Sequence, residues 1–475
     1  MELLLRLEPD ARSEPLHAQL ERQLREAIRA GRLAAGERVP ATRTLAAELG
    51  VSRGVVVEAY AQLAAEGYLV TRRGAGTVVA AAARPTRPPR PTPYPRAVPE
   101  DFHPGMPDLA SFPRGAWLRS LRAVLRDAPH QQLGYADPVG TPQLRETLAR
   151  YLGRARGVAA DGGRVVVTSG LTQGVALACR ALRARGARRI AVEDPGFMVH
   201  RGVVAHCGLE VVPVPVDGDG LSTDALDALD ADVVLVTPAH QMPLGGVLAP
   251  ARRAELIAWA EARDAYVIED DYDSEHRYDR EPVGALQGLA PERVIYAGCA
   301  SKVLAPSLRL GWLVLPQALR AALATEKTLD DLGTSALHQL ALVDFVERGE
   351  LDRHLRRMRP RYRARRDALI AALARELPSW RIGAGIAAGL HVVALLPEAV
   401  DEAAFLAAAR EQGMRLHGLS WFRADPTLPA APGLVLGFGN ASEPSLVRAV
   451  AQLAQVAEVV PGALHQPPAD AAAAR

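Results

Sequence analysis

The sequence predicts an α/β protein in two parts, an N-terminal winged helix-turn-helix and a larger domain built on a mostly parallel sheet. Residues 15–79 hold three short helical segments separated by glycines, followed by an alternating hairpin. Residues 81–99 are dense in proline and arginine, which excludes a helix or sheet interior and predicts an extended linker. From about residue 100 onward, apolar runs alternate with helical segments, which is typical of a sheet covered on both faces.

Glycines and apolar spacing define three helices in the first part. Residues 15–30 place leucines and an isoleucine on one face. Residues 42–49 form a second short helix that ends at Gly50, and Ser52 is expected to cap a third helix over residues 53–66. A short helix, a tight glycine turn and a longer helix are typical of a helix-turn-helix.

Residues 68–79 alternate and turn on glycines, which predicts a two-stranded wing with arginines at its tip. Residues 15–79 resemble the GntR family of winged-helix DNA-binding domains over almost their whole length. The motifs that carry this resemblance include Gly36-Glu37-Arg38-Val39-Pro40, Leu49-Gly50-Val51-Ser52-Arg53, Glu66-Gly67-Tyr68 and Gly74-Ala75-Gly76-Thr77. The resemblance implies that the third helix enters the major groove of DNA. The residues expected to contact DNA are Arg43, Ser52, Arg53, Arg72 and Arg73.

In the second part, a lysine follows an apolar run that predicts a buried strand. Lys302 comes after Val294-Ile295-Tyr296-Ala297 and is surrounded by small residues. An amine in apolar surroundings is a good nucleophile toward an aldehyde, and the nearby Ser301 and Arg309 suit a phosphate. Taken alone, Lys302 is better explained as a surface lysine that follows a strand. A lysine beside a phosphate site is typical of pyridoxal 5'-phosphate (PLP).

A second apolar run ends in a cluster of acids and a tyrosine. Residues 265–268 lead into Glu269-Asp270-Asp271-Tyr272-Asp273. Open α/β sheets bind ligands at the carboxyl ends of their strands, where a carboxylate can pair with a protonated pyridine nitrogen. A solvated acidic loop is the alternative interpretation of this run.

Taken together, these features resemble the MocR/GabR subfamily of GntR regulators over about residues 13–460. The motifs include Gly134-Tyr135-Ala136-Asp137-Pro138, Thr168-Ser169-Gly170-Leu171-Thr172, Glu193-Asp194-Pro195-Gly196-Phe197, Thr237-Pro238-Ala239-His240-Gln241 and Ser301-Lys302. The resemblance implies an effector domain with the PLP-dependent type I transferase fold, consisting of a large domain and a small C-terminal subdomain.

The roles known for this subfamily carry over by position. Lys302 matches the lysine that forms a Schiff base with PLP, Asp270 the partner of the pyridine nitrogen, and Tyr272 the partner of the phenolic oxygen. Phe197 matches the aromatic residue that stacks on the ring. Tyr135 matches a residue that reaches the phosphate of the other subunit, which implies a homodimer. The other residues expected to bind the cofactor are Gly170, Leu171, Thr172, Ser301, Arg309 and His240.

Three positions depart from the aminotransferase pattern. Cys299 stands where a threonine is common, and His240-Gln241-Met242-Pro243-Leu244-Gly245 stands in place of an Asn-Pro-Thr-Gly element. Val435 occupies the place of the arginine that binds a substrate carboxylate, which would leave that carboxylate poorly paired. The arginines that could substitute for it are Arg201, Arg415 and Arg423.

Composition narrows the class of protein without naming a partner. The net charge of +2 favours neither an acidic nor a basic partner. The three cysteines form no metal motif, and we expect a reducing compartment and no bound metal. We also expect no signal peptide and no membrane span, and therefore a cytoplasmic protein. The expected divisions are a DNA-binding domain (1–80), a linker (81–99), an effector domain (100–465) and a disordered tail (466–475).

Three functional hypotheses follow. The first is a PLP-dependent transcriptional regulator, not an enzyme, that binds an operator and senses a small amine, an amino acid or PLP itself. The second is an active aminotransferase with an accessory DNA-binding domain. The third is a DNA-binding protein whose effector domain has lost PLP.

Overall fold

The computed structural model describes residues 5–8, 14–72, 76–81, 102–279, 283–425 and 431–464. The chain divides into two compact units, residues 1–96 and 97–475, and each is described here by itself. Arg73, the predicted linker after its first residue, and the predicted tail lie outside the described residues. No helix among the described residues is both long enough and apolar enough to cross a membrane.

The first unit is a three-helix cluster with a hairpin. Its elements are α1 (Leu16–Arg29), α2 (Thr42–Leu49), α3 (Arg53–Ala65), β1 (Leu69–Arg72) and β2 (Gly76–Val79). The strands pair antiparallel, as the alternating pattern predicts. Apolar side chains at helical spacing, such as Leu20, Leu24, Val56 and Leu63, are fully buried and form its core.

One expectation about the first unit is wrong in detail. Ser52 occupies the N-cap position of α3, but its side chain makes no capping hydrogen bond there. The hydroxyl is exposed to solvent, so it is available to an external partner. Gly50, in the left-handed conformation with φ of 65°, makes the turn between α2 and α3 as predicted.

The second unit is organised around an eight-stranded sheet in the order β3-β10-β9-β8-β7-β4-β5-β6. The strands β5, β4, β7, β8 and β9 run parallel, whereas β10 pairs antiparallel with both β3 and β9. The strand bounds are β3 (Val165–Thr168), β4 (Arg189–Asp194), β5 (Glu210–Asp217), β6 (Gly220–Leu221), β7 (Val233–Val236), β8 (Tyr266–Asp271), β9 (Val294–Cys299) and β10 (Gly311–Val314). The central strands are apolar almost throughout because both faces of the sheet are covered.

Helices connect and cover this sheet. They are α4 (Arg114–Asp127), α5 (Pro142–Arg156), α6 (Leu171–Ala184), α7 (Met198–His206), α8 (Thr223–Asp227), α9 (Pro250–Ala262), α10 (Arg320–Asp331), α11 (Ala336–Glu347) and α12 (Glu350–Glu376). The sequence predicts a single helix over roughly 335–375, but the structure has two. Gly349, with φ of 68°, separates them because a left-handed residue cannot continue an α-helix.

A smaller three-stranded antiparallel sheet follows, in the order β11-β12-β13. Its strands are β11 (Arg381–Ile382), β12 (His391–Leu395) and β13 (Gly433–Gly437), and its helices are α13 (Glu402–Glu411) and α14 (Glu443–Val459). Both helices and α12 pack into one apolar cluster with the strands. This part corresponds to the small C-terminal subdomain expected from the sequence.

Candidate functional site

A cavity of about 220 Å³ lies at the carboxyl ends of the central strands. It is several times the ~30 Å³ that one water molecule occupies in the liquid, so it suits a small organic ligand. The cavity brings together eight of the eleven residues that the sequence predicts for the cofactor. These eight are Phe197, Leu171, Thr172, Asp270, Tyr272, Ser301, Lys302 and Arg309.

Lys302 places a primary amine in the cavity. It lies in the turn that follows β9, and a Cβ atom added at Gly105 would come within 3.1 Å of its Nζ. The glycine therefore leaves room for the amine. The only other lysine in the sequence, Lys327, is fully buried, and its Nζ lies 2.6 Å from both carboxylate oxygens of Asp331. Lys302 is thus the one lysine of this chain that is available for chemistry in the cavity.

The beginning of α6 forms one end of the cavity and suits an anion. Gly170 is the N-cap residue, with φ of 91°, and a Cβ atom there would collide with the Arg309 guanidinium. Arg309 Nη2 donates a hydrogen bond of 2.6 Å to the Ser169 carbonyl oxygen, which holds the guanidinium beside the helix N-terminus. Free backbone amides and a neighbouring arginine are the usual surroundings of a bound phosphate. Gly170 forms part of this cradle although it does not line the cavity itself.

The opposite end of the cavity holds a buried carboxylate. Asp270 lies near the carboxyl end of β8. Its Oδ2 lies 3.3 Å from His200 Nε2. Its Oδ1 is buried without a hydrogen-bond partner. Burial, followed by the charges of neighbouring acids, raises the pKa of Asp270 well above its usual value. Burial also lowers the pKa of His200 to about 4, so this imidazole is neutral and brings no positive charge to Asp270. An orphaned carboxylate oxygen at a cavity wall suits a ligand that brings an N–H group or a positive charge.

His200 was missed by the sequence analysis. It lies on α7, one helical turn after Phe197, and the two rings pack edge to face with centroids 5.1 Å apart. The three-residue spacing between an aromatic residue and a histidine on a short helix was the available signal, but the sequence alone could not show that the helix faces β8.

Tyr272 and Met242 form part of the cavity wall, whereas His240 lies behind them. The Tyr272 hydroxyl is 3.0 Å from His240 Nδ1 and 3.8 Å from Met242 Sδ. His240 does not line the cavity; its Nδ1 also lies 3.0 and 3.1 Å from the two carboxylate oxygens of Asp273. The structure therefore places His240 next to Tyr272 and not in the lining of the cavity. Met242 was not predicted, although its position before Pro243 and Gly245 matches the Asn-Pro-Thr-Gly spacing.

An apolar cluster occupies the region where a substrate-carboxylate arginine was expected. Val435 is fully buried and packs in one cluster with Met242 and Tyr272. Arg201 donates to the backbone carbonyl oxygens of Gly196, Phe422 and Arg423 at 2.7–3.1 Å, so its guanidinium is already used in joining two loops. Arg415 and Arg423 are not among the described residues that line the cavity.

The remaining predicted residues lie elsewhere. Tyr135 is 93% exposed and does not line the cavity of its own chain. In the first unit, Arg43, Ser52, Arg53 and Arg72 are all exposed, and Arg53 is the first residue of α3. An exposed arginine at the start of such a helix is well placed to reach the major groove or a DNA phosphate.

Family models match the two compact units of the chain separately. The family model described as aminotransferase class I and II matches residues 112–427, and the model described as bacterial regulatory proteins, gntR family, matches residues 16–79. The chain is 35% identical over 463 residues to the probable rhizopine catabolism regulatory protein MocR of Rhizobium meliloti, with 92% of each chain covered. The chain belongs to the MocR-type subfamily of GntR regulators. It is also 37% identical over 440 residues to the HTH-type pyridoxine biosynthesis transcriptional regulator PdxR of Corynebacterium glutamicum, with 92% of this chain and 94% of that one covered.

Solved structures agree on the fold of this MocR-type regulator. The kynurenine aminotransferase of Pyrococcus horikoshii, solved in complex with PMP, is 25% identical and covers 76% of this chain and 91% of its own, with a TM-score of 0.69. The predicted fold class is therefore confirmed. The match to aminotransferase class I and II indicates PLP as the cofactor of the effector domain. The cavity fits this cofactor, because an amine, an anion cradle and an orphaned carboxylate lie around one space.

Proposed function

We propose that this chain is a transcription regulator that binds DNA through its winged helix and PLP through the cavity of its effector domain. The ligand to which it responds is a small amine, an amino acid or PLP itself. The observation that carries the proposal is the position of Lys302, whose amine enters a cavity bounded by the Gly170–Arg309 cradle and the unpartnered Asp270 oxygen. The same chain carries an exposed helix-turn-helix of the GntR family.

Each cavity residue has a defined task in this proposal. PLP, when bound, supplies an aldehyde that condenses with an amine and a ring that withdraws electrons. Lys302 provides the amine, and Gly105 keeps space beside it. Arg309 and the first amides of α6 neutralise and orient the phosphate, while Ser301 adds a hydroxyl. Asp270, with His200 Nε2 3.3 Å from its Oδ2, would accept a hydrogen bond from the pyridine nitrogen and stabilise the positive charge on that ring.

The stacking and hydrogen-bonding residues complete the site. Phe197 would pack against the ring of the cofactor, and Tyr272 would hydrogen-bond to its phenolic oxygen. The wall formed by Phe197 and Met242 excludes water from the reacting end.

We further propose that the protein works as a homodimer. Tyr135 is 93% exposed at the end of a short helical turn, where it can extend to the phosphate site of a partner subunit. Large apolar side chains are also exposed on neighbouring parts of this unit, namely Leu118, Leu125, Leu133, Leu329 and Leu332. Exposed leucines in this number are typical of a surface that is covered in the working assembly.

Transamination is the second candidate function, because the lysine, Asp270 and Tyr272 are all in place for it. The apolar cluster around Val435 favours the regulator, since a substrate carboxylate bound there would lack a cationic partner. Incubating the loaded protein with an amino acid and a keto acid separates the two functions: regulation predicts a spectral change with amines but no turnover.

The decisive experiment uses the small number of lysines. Purified protein loaded with PLP is reduced with borohydride and digested, and the modified peptide is identified by mass. We expect the label on Lys302 and none on Lys327, and we expect Lys302→Ala to lose the absorbance near 400–430 nm (about the range of lysine-bound PLP). Operator binding is then measured for the loaded protein with and without candidate amines. A label on Lys327, or a protein that stays colourless with PLP, would overturn the proposal.

A further inference from the structure

A buried pair of residues, His240 and Asp273, lies behind the part of the cavity wall formed by Tyr272. His240 Nδ1 lies 3.0 and 3.1 Å from the two oxygens of Asp273 and 3.0 Å from the Tyr272 hydroxyl oxygen. The side chains of His240 and Asp273 are only 2% and 1% exposed. One ring nitrogen therefore faces a carboxylate and a phenol at the same time, away from water.

The Asp273 carboxylate determines whether His240 Nδ1 carries a hydrogen. If Nδ1 were unprotonated, its lone pair would face the Asp273 oxygens at about 3 Å in a region of low dielectric, which is costly. Nδ1 therefore carries a hydrogen and donates it to Asp273. An N–H group cannot accept, so the Tyr272 hydroxyl cannot donate to His240. The tyrosine oxygen can share the Nδ1 hydrogen only as a second acceptor.

We propose that Asp273 and His240 are positioning residues that turn the Tyr272 hydroxyl hydrogen into the cavity. Tyr272 lines the cavity, and within the described part of the chain its hydroxyl has one other hydrogen-bonding neighbour, Met242 Sδ at 3.8 Å, a weak acceptor. The strongest acceptor left to this hydroxyl is an oxygen of the bound ligand. This inference rests on the proposed function, because that oxygen is the phenolic oxygen of PLP.

The surroundings keep Tyr272 in its donor form. Burial, followed by the charges of Asp273, Asp270, Glu193 and Asp271, raises the pKa of this phenol well above 10. Lys302 and Arg309 are the basic residues on the cavity side. On the other side, the His391 ring lies 5.2 Å from the His240 ring, and burial lowers the pKa of His391 to about 4, so it brings no charge.

The backbone also makes room for the pair. Gly389 has φ of 67°, and a Cβ atom there would collide with His240 and come within 2.6 Å of Asp273 Oδ2. A glycine is therefore required for the close approach of the two side chains. Gly245 lies on another side of the same imidazole, where a Cβ atom would come within 3.4 Å of Nε2.

The test measures the pH at which the absorbance of the loaded protein changes. A donated hydrogen bond from Tyr272 lowers the basicity of the acceptor oxygen, so without it the lysine-bound chromophore keeps its proton to a higher pH. Tyr272→Phe is expected to raise this midpoint by about one pH unit. In Asp273→Asn the histidine can adopt its other tautomer and accept from Tyr272, as in a triad whose aspartate is replaced. We therefore expect the midpoint of Asp273→Asn to rise as well.

The direction in which Asp273→Asn shifts the midpoint shows whether Asp273 acts by orienting the Tyr272 hydroxyl or only through its negative charge. Removing a negative charge near a protonated group lowers its pKa, so a simple charge effect of Asp273→Asn would lower the midpoint. In the Tyr272→Phe background there is no hydroxyl to turn, and Asp273→Asn should no longer raise the midpoint. A fall or no change for Asp273→Asn in the wild-type background overturns the inference, while borohydride labelling of Lys302 in the same sample shows that the proposed function stands.

Two further variants test whether a change in the midpoint comes from misfolding. Replacing both members by leucine, His240→Leu with Asp273→Leu, removes the polar pair and leaves Tyr272 without a competing partner, so the midpoint should return to within about 0.3 units of wild type. The matched control His391→Asn should leave it unchanged.

His240, Asp273 and His391 bring ligand atoms within 4.8 Å of one another. Stoichiometric metal in the purified protein, with a spectrum that shifts on chelation, would overturn the inference.

Discussion

Replacing Arg156 with methionine should be among the most destabilising single changes in the effector domain. The Arg156 Nε and an Asp271 Oδ2 oxygen lie 2.7 Å apart, and both side chains are only 1% exposed. Tyr296 donates to the same Asp271 oxygen at 2.8 Å, and Arg156 also donates to the Val283 carbonyl oxygen at 2.6 Å. Without the guanidinium, Asp271 becomes a buried charge held by one neutral donor. Removing one partner of a buried pair costs about 3–5 kcal/mol, so we expect a loss of that size in the free energy of unfolding.

Tryptophan fluorescence in urea measures this loss in the correct part of the molecule. All five tryptophans lie between residues 117 and 421, so the signal reports the second unit and not the DNA-binding unit. Arg150 offers a matched control on the same helix, because its ion pair with Glu347 leaves the two side chains 62% and 53% exposed. Arg150→Met should cost less than about 1 kcal/mol.

A double variant identifies the cause of the loss. Arg156→Met combined with Asp271→Asn removes the uncompensated charge but retains an acceptor for Tyr296. It should recover most of the stability, because an amide is far cheaper to bury than a carboxylate. The reasoning is refuted if Arg156→Met costs less than about 1 kcal/mol, or if the double variant is no more stable than the single one.

Three other changes test separate parts of the molecule. Arg53→Ala should weaken operator binding by a factor of roughly 5–100 and reduce its salt dependence. Arg32 is an exposed arginine in the turn after α1, and Arg32→Ala should change neither property. Fluorescence anisotropy at several salt concentrations measures both variants. Gly170→Ala should abolish PLP uptake seen by absorbance, since its Cβ atom would displace the Arg309 guanidinium. Burial raises the pKa of Glu193 from 4.5 to about 7. As pH rises, the unfolded chain therefore loses this proton at a lower pH than the folded chain does. The free energy of unfolding should fall as pH rises from about 4.5 to 7. Glu193→Gln should flatten that fall in urea titrations at each pH.

Local patterns in the sequence, together with the family resemblance, predicted most of the residues that line the cavity. Lys302 and Asp270 each follow an apolar run, and parallel strands bring their carboxyl ends to one edge. Gly170 was predicted from the family resemblance, and the structure places it at the N-terminus of a helix, a position that suits an anion. Such features involve residues close together in the chain, and the structure keeps them together in space.

Contacts between distant segments could not be predicted in the same way. The position of His240 behind Tyr272 depends on how the loop after β7 packs against the end of β8, 32 residues later. The cluster around Val435 joins β13 to both segments, and no spacing in the sequence reveals it. Gly349 was overlooked as a helix break because the residues on both sides of it favour helix equally.

The acidic run at the end of β8 shows how one member of a charged cluster becomes the functional one. Side chains along a strand alternate between the two faces, so Glu269 and Asp271 share a face and Asp270 points to the other. Glu269 accepts hydrogen bonds of 2.8 and 2.9 Å from two backbone amides, and Asp271 is paired with Arg156. Asp270 and Asp271 each keep one buried oxygen without a hydrogen-bond partner, but of the two only Asp270 lines the cavity, where it faces a neutral imidazole. Glu269 and Asp271 thus have donors within the protein, whereas the proposed function gives Asp270 its cationic partner from the bound cofactor.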